Sequence, residues 1–380
     1  MGRRRTPLDE SGLCHSANSL SRFGGGLFSN VALVFSLIQN YHYILDIYKA
    51  MLSLSERLVS MKTIYQVSQQ VVQQTEKIIV GKTDKIKLIL MSVLADGHIL
   101  LDDLPGVGKT TLVKTLSIAL GCDSKRIQFV PDLLPSDISG MKIYDQKNGD
   151  FKLVKGPVMT NLLLADEINR AISRTQSALL EAMEEHQVTI DGETMLLPKP
   201  FLVLATQNPV EMESTFKLPA AQLDRFLICL SLGYPDAGEE ARMLTNLGDR
   251  IPFEQVETVS CADEIVRLQQ EAAKVYVCDA VSEYIVSLVQ ATRRHPSLAM
   301  GAGPRGSRGL YRAAKVWAAM QGRDYVTPDD IQHLAVPVLA HRLVLSSEAQ
   351  FSGKTAASVV DEVIKSTAIP PSTEDMFSGR

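Results

Sequence analysis

In LLDDLPGVGKTT, residues 100–111, two glycines, a lysine and a hydroxyl stand at the spacing of a phosphate-binding loop, G-x-x-x-x-G-K-[ST], with Asp103 in the place of the first glycine. Gly106 and Gly108 let the backbone come close to phosphate oxygens. The amides from 106 to 110 would then point inward at the start of a helix, where the dipole also favours an anion. Lys109 supplies a mobile positive charge for the outer phosphates and Thr110 a hydroxyl for a magnesium ion. Asp103 is expected to turn its carboxylate back onto local backbone, as in an Asx turn, and away from the phosphates. Without its first glycine the loop alone is equally an ordinary strand-turn-helix.

Further along, LLLADEINRA ends an apolar run in Asp166 and Glu167, two acids at the C-terminal lip of a buried strand, where open α/β sheets hold their ligands. Asp166 can hold a magnesium ion through water, and Glu167 can orient and deprotonate an attacking water. An acidic helix start is the competing reading. VLATQNP ends in Thr206, Gln207 and Asn208, and Asn208 would complete a water-positioning set or form a turn before Pro209. In AQLDRF, Arg225 at a subunit edge could reach a neighbour's nucleotide; otherwise it makes a surface salt bridge with Asp224. GPRGS places Arg305 at the start of a helix.

Positioning these residues requires a parallel sheet covered on both faces. HILL (98–101), RIQFV (126–130), NLLLAD (161–166), PFLVLATQN (200–208) and RFLICLSL (225–232) read as five strands, alternating with helical patterns. TLVKTLSIAL (111–120) is predicted to be a helix closed by a left-handed Gly121. After YPD (234–236) the strands give way to helices, one opened by a capping-box-like Ser260 and Asp263 and another by Thr327, Pro328 and two acids. Two hairpins are signalled by alternation around NGD and DG, in SGMKIYDQKNGDFKLVKG and QVTIDGETMLLPKP.

The balance of 39 basic and 43 acidic side chains leaves a net charge of -4, so no global field draws the chain to nucleic acid or an anionic membrane. The five cysteines show no C-x-x-C pair and read as reduced, buried filler. Residues 1–60 form an extension outside the fold, or precede the true start, since Met51 and Met61 could each begin the chain. Its apolar stretch, LFSNVALVFSLIQNYHYIL, is broken by polar residues and is not expected to insert stably in a membrane.

Taken together, these motifs resemble those of MoxR-family ATPases within the AAA+ superfamily, from about Met61 to Pro371. IIVGKTDKIKLILMSVLADGHILLDDLPGVGKT, PDLLPSDISG, LLLADEINRAISRTQSALLEAMEEHQVTIDGE, ATQNPVEMESTFKLPAAQLDRF and GRDYVTPDDI carry the resemblance. It implies an α/β fold, an AAA+ core over 61–236 with two hairpin insertions, and a small helical lid over 237–380. By the same resemblance, an acid often opens the loop in this family. Gly106, Val107, Gly108, Lys109, Thr110 and Thr111 resemble the Walker A loop, and Asp166 and Glu167 the Walker B pair. Val80 and Gly81 resemble the segment beside adenine, Asn208 sensor 1, Arg225 the arginine finger and Arg305 sensor 2. The implied cofactors are ATP and Mg2+, with Thr110 and Asp166 at the metal. The implied assembly is a cytoplasmic homo-oligomer, a hexamer, remodelling a protein client alongside a von Willebrand factor A domain partner. Gly303 and Gly306 stand where relatives more often carry serine and alanine, which would loosen Arg305; Ile172 replaces a proline with little expected effect. Three rivals are a nucleotide-dependent switch with little turnover, a chelatase-type motor, and a nucleic-acid motor using Lys142, Lys147, Lys152 and Lys155.

Overall fold

Described in the structure, a computed structural model, are residues 64–208, 216, 218–247 and 251–370; the extension expected over 1–60 lies outside them. A helix over residues 64–76 (α1) and α2 (Thr83–Leu94) precede β1 (Ile99–Asp102), α3 (Lys109–Leu120), β2 (Ser124–Gln128) and a short α4 (Pro135–Ser139). Next come the hairpin β3 (Gly140–Asp145) and β4 (Asp150–Lys155), then β5 (Leu162–Asp166) and α5 (Ser173–Glu185). A second hairpin, β6 (Gln187–Ile190) and β7 (Glu193–Leu196), leads to β8 (Leu202–Gln207), α6 (Ala220–Leu223) and β9 (Ile228–Leu230). The remainder is α7 (Ala237–Leu247), α8 (Ala262–Ala272), α9 (Asp279–Arg294), β10 (Leu298–Met300), α10 (Pro304–Met320), α11 (Pro328–Leu339), β11 (Val344–Leu345), α12 (Ser347–Phe351) and α13 (Ala356–Ser366).

Five strands pair in parallel in the order β2-β5-β8-β1-β9. Successive side chains of a strand point to opposite faces, and here both faces are covered. Ile99, Leu101, Leu162, Leu164, Leu202 and Leu204 pack with α2, α3 and the C-terminal helices. Leu100, Leu163, Ala165, Val203 and Ala205 pack instead with α5 and the hairpin residues Val188 and Ile190. This two-sided burial is why the apolar runs are unbroken. β1, β5 and β8 each become less buried only at their last residue, Asp102, Asp166 and Gln207, so the sheet's C-terminal edge is where polar groups emerge.

The structure corrects several details. β2 begins two residues earlier than expected and exposes Ser124, Lys125 and Arg126, because it is an edge strand on which charge blocks further pairing. The C-terminal region is not purely helical: β10 and β11 form a small antiparallel ladder. Helix α8 starts where expected, but Cys261 is its N-cap without a side-chain cap, and the Ser260 hydroxyl meets the Glu264 carboxylate at 3.0 Å. By contrast, Gly121 closes α3 at φ 61° and Thr327 caps α11, with Asp330 accepting from the Thr327 amide at 2.8 Å. Both hairpins form. The second turns on Asp191 and Gly192, at φ 47° and 82°, as a two-residue turn following the strand twist requires.

Candidate functional site

The loop leaving β1 passes through Gly106 and Gly108, at φ 84° and 85°, into the first turn of α3. A Cβ at either glycine would meet nothing within 4 Å, so the concave side of the loop is clear for a bulky anion at the helix N-terminus. Lys109 Nζ donates to the main-chain oxygen of Asp103 at 2.9 Å. Burial draws the Lys109 ammonium below the ordinary lysine value, against the pull of Asp103, Asp166, Glu167 and Asp102. Burial also lifts the Asp102 carboxyl above its ordinary value.

Asp103 does not fold back onto local backbone. Its carboxylate crosses to the strand end after β9, where it accepts from Ser231 Oγ at 2.7 Å and from the amides of Leu232 and Gly233 at 2.8 and 3.0 Å. A glycine here could not make this clamp, which joins the phosphate loop to the connection leading into α7. The same connection meets residues 80–82. Lys82 Nζ donates to the Tyr234 carbonyl at 3.0 Å, and a Cβ on Gly81 would overlap the Glu239 carboxylate. Val80 and Gly81, the loop and residues 231–239 therefore border one place.

At the tips of β5 and β8, Thr206 joins the acidic pair. Its buried hydroxyl donates to Asp166 Oδ1 at 2.6 Å and accepts from the Glu167 amide at 2.8 Å. Arg126, from the edge strand, donates to Asp166 Oδ2 at 2.7 Å. Gln128 and Arg170 both donate to Glu167 Oε2, at 2.7 and 2.9 Å. Glu167 itself is left-handed, at φ 55° and ψ 50°, a costly conformation for a non-glycine residue and one that clusters at functional sites. Asn208 is buried one residue beyond β8.

Arg225 and Arg305 lie elsewhere. The Leu227 amide donates to His98 O at 2.8 Å, which sets this segment at the N-terminal edge of β1. From His98 to Asp103 the strand climbs roughly 16 Å, so neither arginine belongs to its own chain's phosphate loop. Arg225 Nε donates to Glu184 Oε2 at 2.8 Å, and Arg305 Nη2 donates to Glu184 Oε1. The alternative pairing of Arg225 with Asp224 does not form, because Asp224 is taken by Arg342 at 2.9 Å. Gly306 does not loosen α10: it is buried, and a Cβ there would come within 3.1 Å of Leu339. Both arginines line a recess of about 420 Å³ with Arg308, Arg312 and Arg342.

The profile of the ATPase family associated with various cellular activities (AAA) matches residues 98–228, and that of the AAA lid domain residues 290–363. The chain is 42% identical over 306 residues to "Chaperone MoxR1" of Mycobacterium tuberculosis, covering 78% of this chain and 81% of that protein. It is 50% identical over 299 residues to "Uncharacterized protein YeaC" of Bacillus subtilis, covering 79% of this chain and 93% of that protein. A solved structure from Cytophaga hutchinsonii superposes with a TM-score of 0.79 at 38% identity, covering 84% of this chain and 99% of that one. The chain belongs to the MoxR family of AAA+ ATPases.

In this MoxR-family chain the residues picked from sequence fall into two groups rather than one. Gly106 to Thr111, Asp166, Glu167 and Asn208 belong to the C-terminal edge of the sheet, with Val80 and Gly81 beside the connection bound by Asp103; Arg225 and Arg305 sit at the opposite edge. Sequence reasoning missed the supporting side chains Arg126, Gln128 and Glu184, and gave Thr206 no task. Thr206 had a visible signal, a hydroxyl ending an apolar run; the others had none, since their partners are distant in sequence.

Proposed function

We propose that this chain hydrolyses ATP with Mg2+ as a ring, a hexamer, in which each phosphate loop is completed by the next subunit. The observation that carries this reading is the separation of Arg225 and Arg305 from their own loop. An arginine can neutralise charge developing during phosphoryl transfer only beside the transferred group, and here that group must belong to a neighbour. The loop fits the nucleotide: an open glycine cradle at a helix start, with Lys109 for outer phosphates, Thr110 and Asp166 for Mg2+, and Val80 and Gly81 beside the base. Bound Mg2+ would neutralise phosphate charge and fix its geometry. Glu167 keeps Oε1 clear of its two donors and serves as the base for water, with Asn208 orienting that water.

A chaperone-like role on a protein client, alongside a von Willebrand factor A domain partner and in the cytoplasm, follows from the family and from the first hairpin. Met141, Ile143 and Val154 are exposed on one face of it and Tyr144 and Phe151 on the other, apolar surface suited to protein. Its Lys142 is engaged by Glu193 of the second hairpin at 2.6 Å, which weakens the nucleic-acid reading. The test is ATP turnover per subunit against protein concentration, followed with the mass in solution. Turnover that rises as the ring assembles supports the proposal; constant turnover by a monomer refutes it.

A further inference from the structure

The reading above treats Arg225 and Arg305 as contributions to a neighbour, and the next point rests on it. Both long side chains are half-exposed, yet both end on one carboxylate. Glu184, at the end of α5, accepts from Arg225 through one oxygen and from Arg305 through the other. Arg225 is held through Nε, so its terminal Nη fork points onward from the contact, available for a second, bidentate acceptor such as a phosphate.

Glu184 is itself fixed from the sheet. His98, at the start of β1, accepts from the Val203 amide through Nδ1 at 3.1 Å and so carries its proton on Nε2, which donates to Met183 O at 2.9 Å. Burial keeps this imidazole neutral, its pKa lowered to about 4. The chain of contacts runs from two core strands through His98 to the residue preceding Glu184. The recess also carries a surplus of positive charge. Arg308, Arg312 and Arg342 line it with the two arginines, and its other acids are Asp96 and Asp224, the latter engaged by Arg342. Without Glu184, Arg225 and Arg305 would face like charges and lose their shared acceptor.

We infer that Glu184 is a positioning residue for the trans site: it holds Arg225 by Nε and Arg305 by one Nη, and thereby presents both guanidinium groups to the nucleotide of the neighbouring subunit. One carboxylate couples the core arginine to the lid arginine, so the two are set together.

The test is a mutant cycle on the full chain, with kcat, ATP Kd and assembled mass measured for E184A, E184D, R225A, R305A and the doubles E184A/R225A and E184A/R305A. E184A is expected to lower kcat by about ten- to a hundredfold, as misplacement of a catalytic group does, with Kd and mass unchanged. Added to R225A it should cost no more than about twofold further, because its effect passes through Arg225. E184D, which keeps the charge on a shorter stem, should recover part of the loss. Wild-type kcat for E184A beside a crippled R225A would overturn the inference while leaving the ring reading standing. So would a loss in E184A that multiplies in full with that of R225A. Wild-type kcat for R225A would overturn both.

Discussion

The two edges of the central sheet are built differently. At the C-terminal edge the groups are short, buried and fixed by backbone: glycines at positive φ, a left-handed Glu167, and Thr206 holding both acids from a neighbouring strand. At the N-terminal edge the groups are long, half-exposed arginines that meet on a single glutamate. The first edge holds a complete phosphate site in one chain. The second holds positive charge with nothing to stabilise in its own chain. The difference teaches that rigidity and reach are divided between edges, and that the reaching edge acquires its purpose only in an assembly.

The comparison breaks most sharply at the base. Replacing Glu167 with Gln should leave ATP binding intact and remove turnover by at least about a thousandfold, the upper range for a general base; titration of ATP binding beside a phosphate-release assay checks both halves. Arg225→Ala should lose about a thousandfold in the assembled ring and leave the Kd for ATP unchanged, the signature of an interaction made only in the transition state.

The Asp103 clamp sharpens the comparison through stability. Asp103→Gly restores the commoner loop sequence, yet leaves the Leu232 and Gly233 amides without their acceptor. It should destabilise the fold by about 3 kcal/mol, read as a lowered Tm and urea midpoint; an unchanged Tm would mean that the clamp is dispensable.

The smallest expected effect is a pH dependence at the N-terminal edge. Burial holds His98 down to about 4, and burial with the Arg342 charge holds His341 down to about 3, from an ordinary 6.5. The unfolded chain takes up protons near 6.5 while the folded one does not, so stability is complete above that pH and falls as the pH drops from 6.5 towards 4. Thermal melts between pH 7 and 4.5 should show Tm declining over this window, with a shallower decline in His98→Gln; a flat profile would contradict the neutral His98 on which Glu184 rests.

The C-terminal edge was legible because its motifs are contiguous and their physics is local. Apolar runs buried on both faces end in the polar residues that emerge together, and glycine spacing encodes the loop. The N-terminal edge was legible only as isolated arginines. Glu184 reads in sequence as one more acid on an amphipathic helix, and its role depends on α5, the segment before β9 and the first turn of α10 meeting in space. The Asp103 partners lie near residue 232 and could not be inferred from the loop, so a local Asx turn was the natural expectation. The edge position of β2 depends likewise on strand order. Ser260 shows the limit of pattern alone: a residue of the right type one place too early leaves the cap to Cys261.

The trans role of Arg225 is tested most directly by mixing E167Q and R225A subunits, each inactive alone, and measuring ATP turnover of the co-assembled ring. In a head-to-tail ring, roughly a quarter of random interfaces join an intact Glu167 to a neighbour's intact Arg225, and turnover should return to about that fraction of wild type. Co-assembled rings no more active than the separate variants would contradict a site shared between subunits.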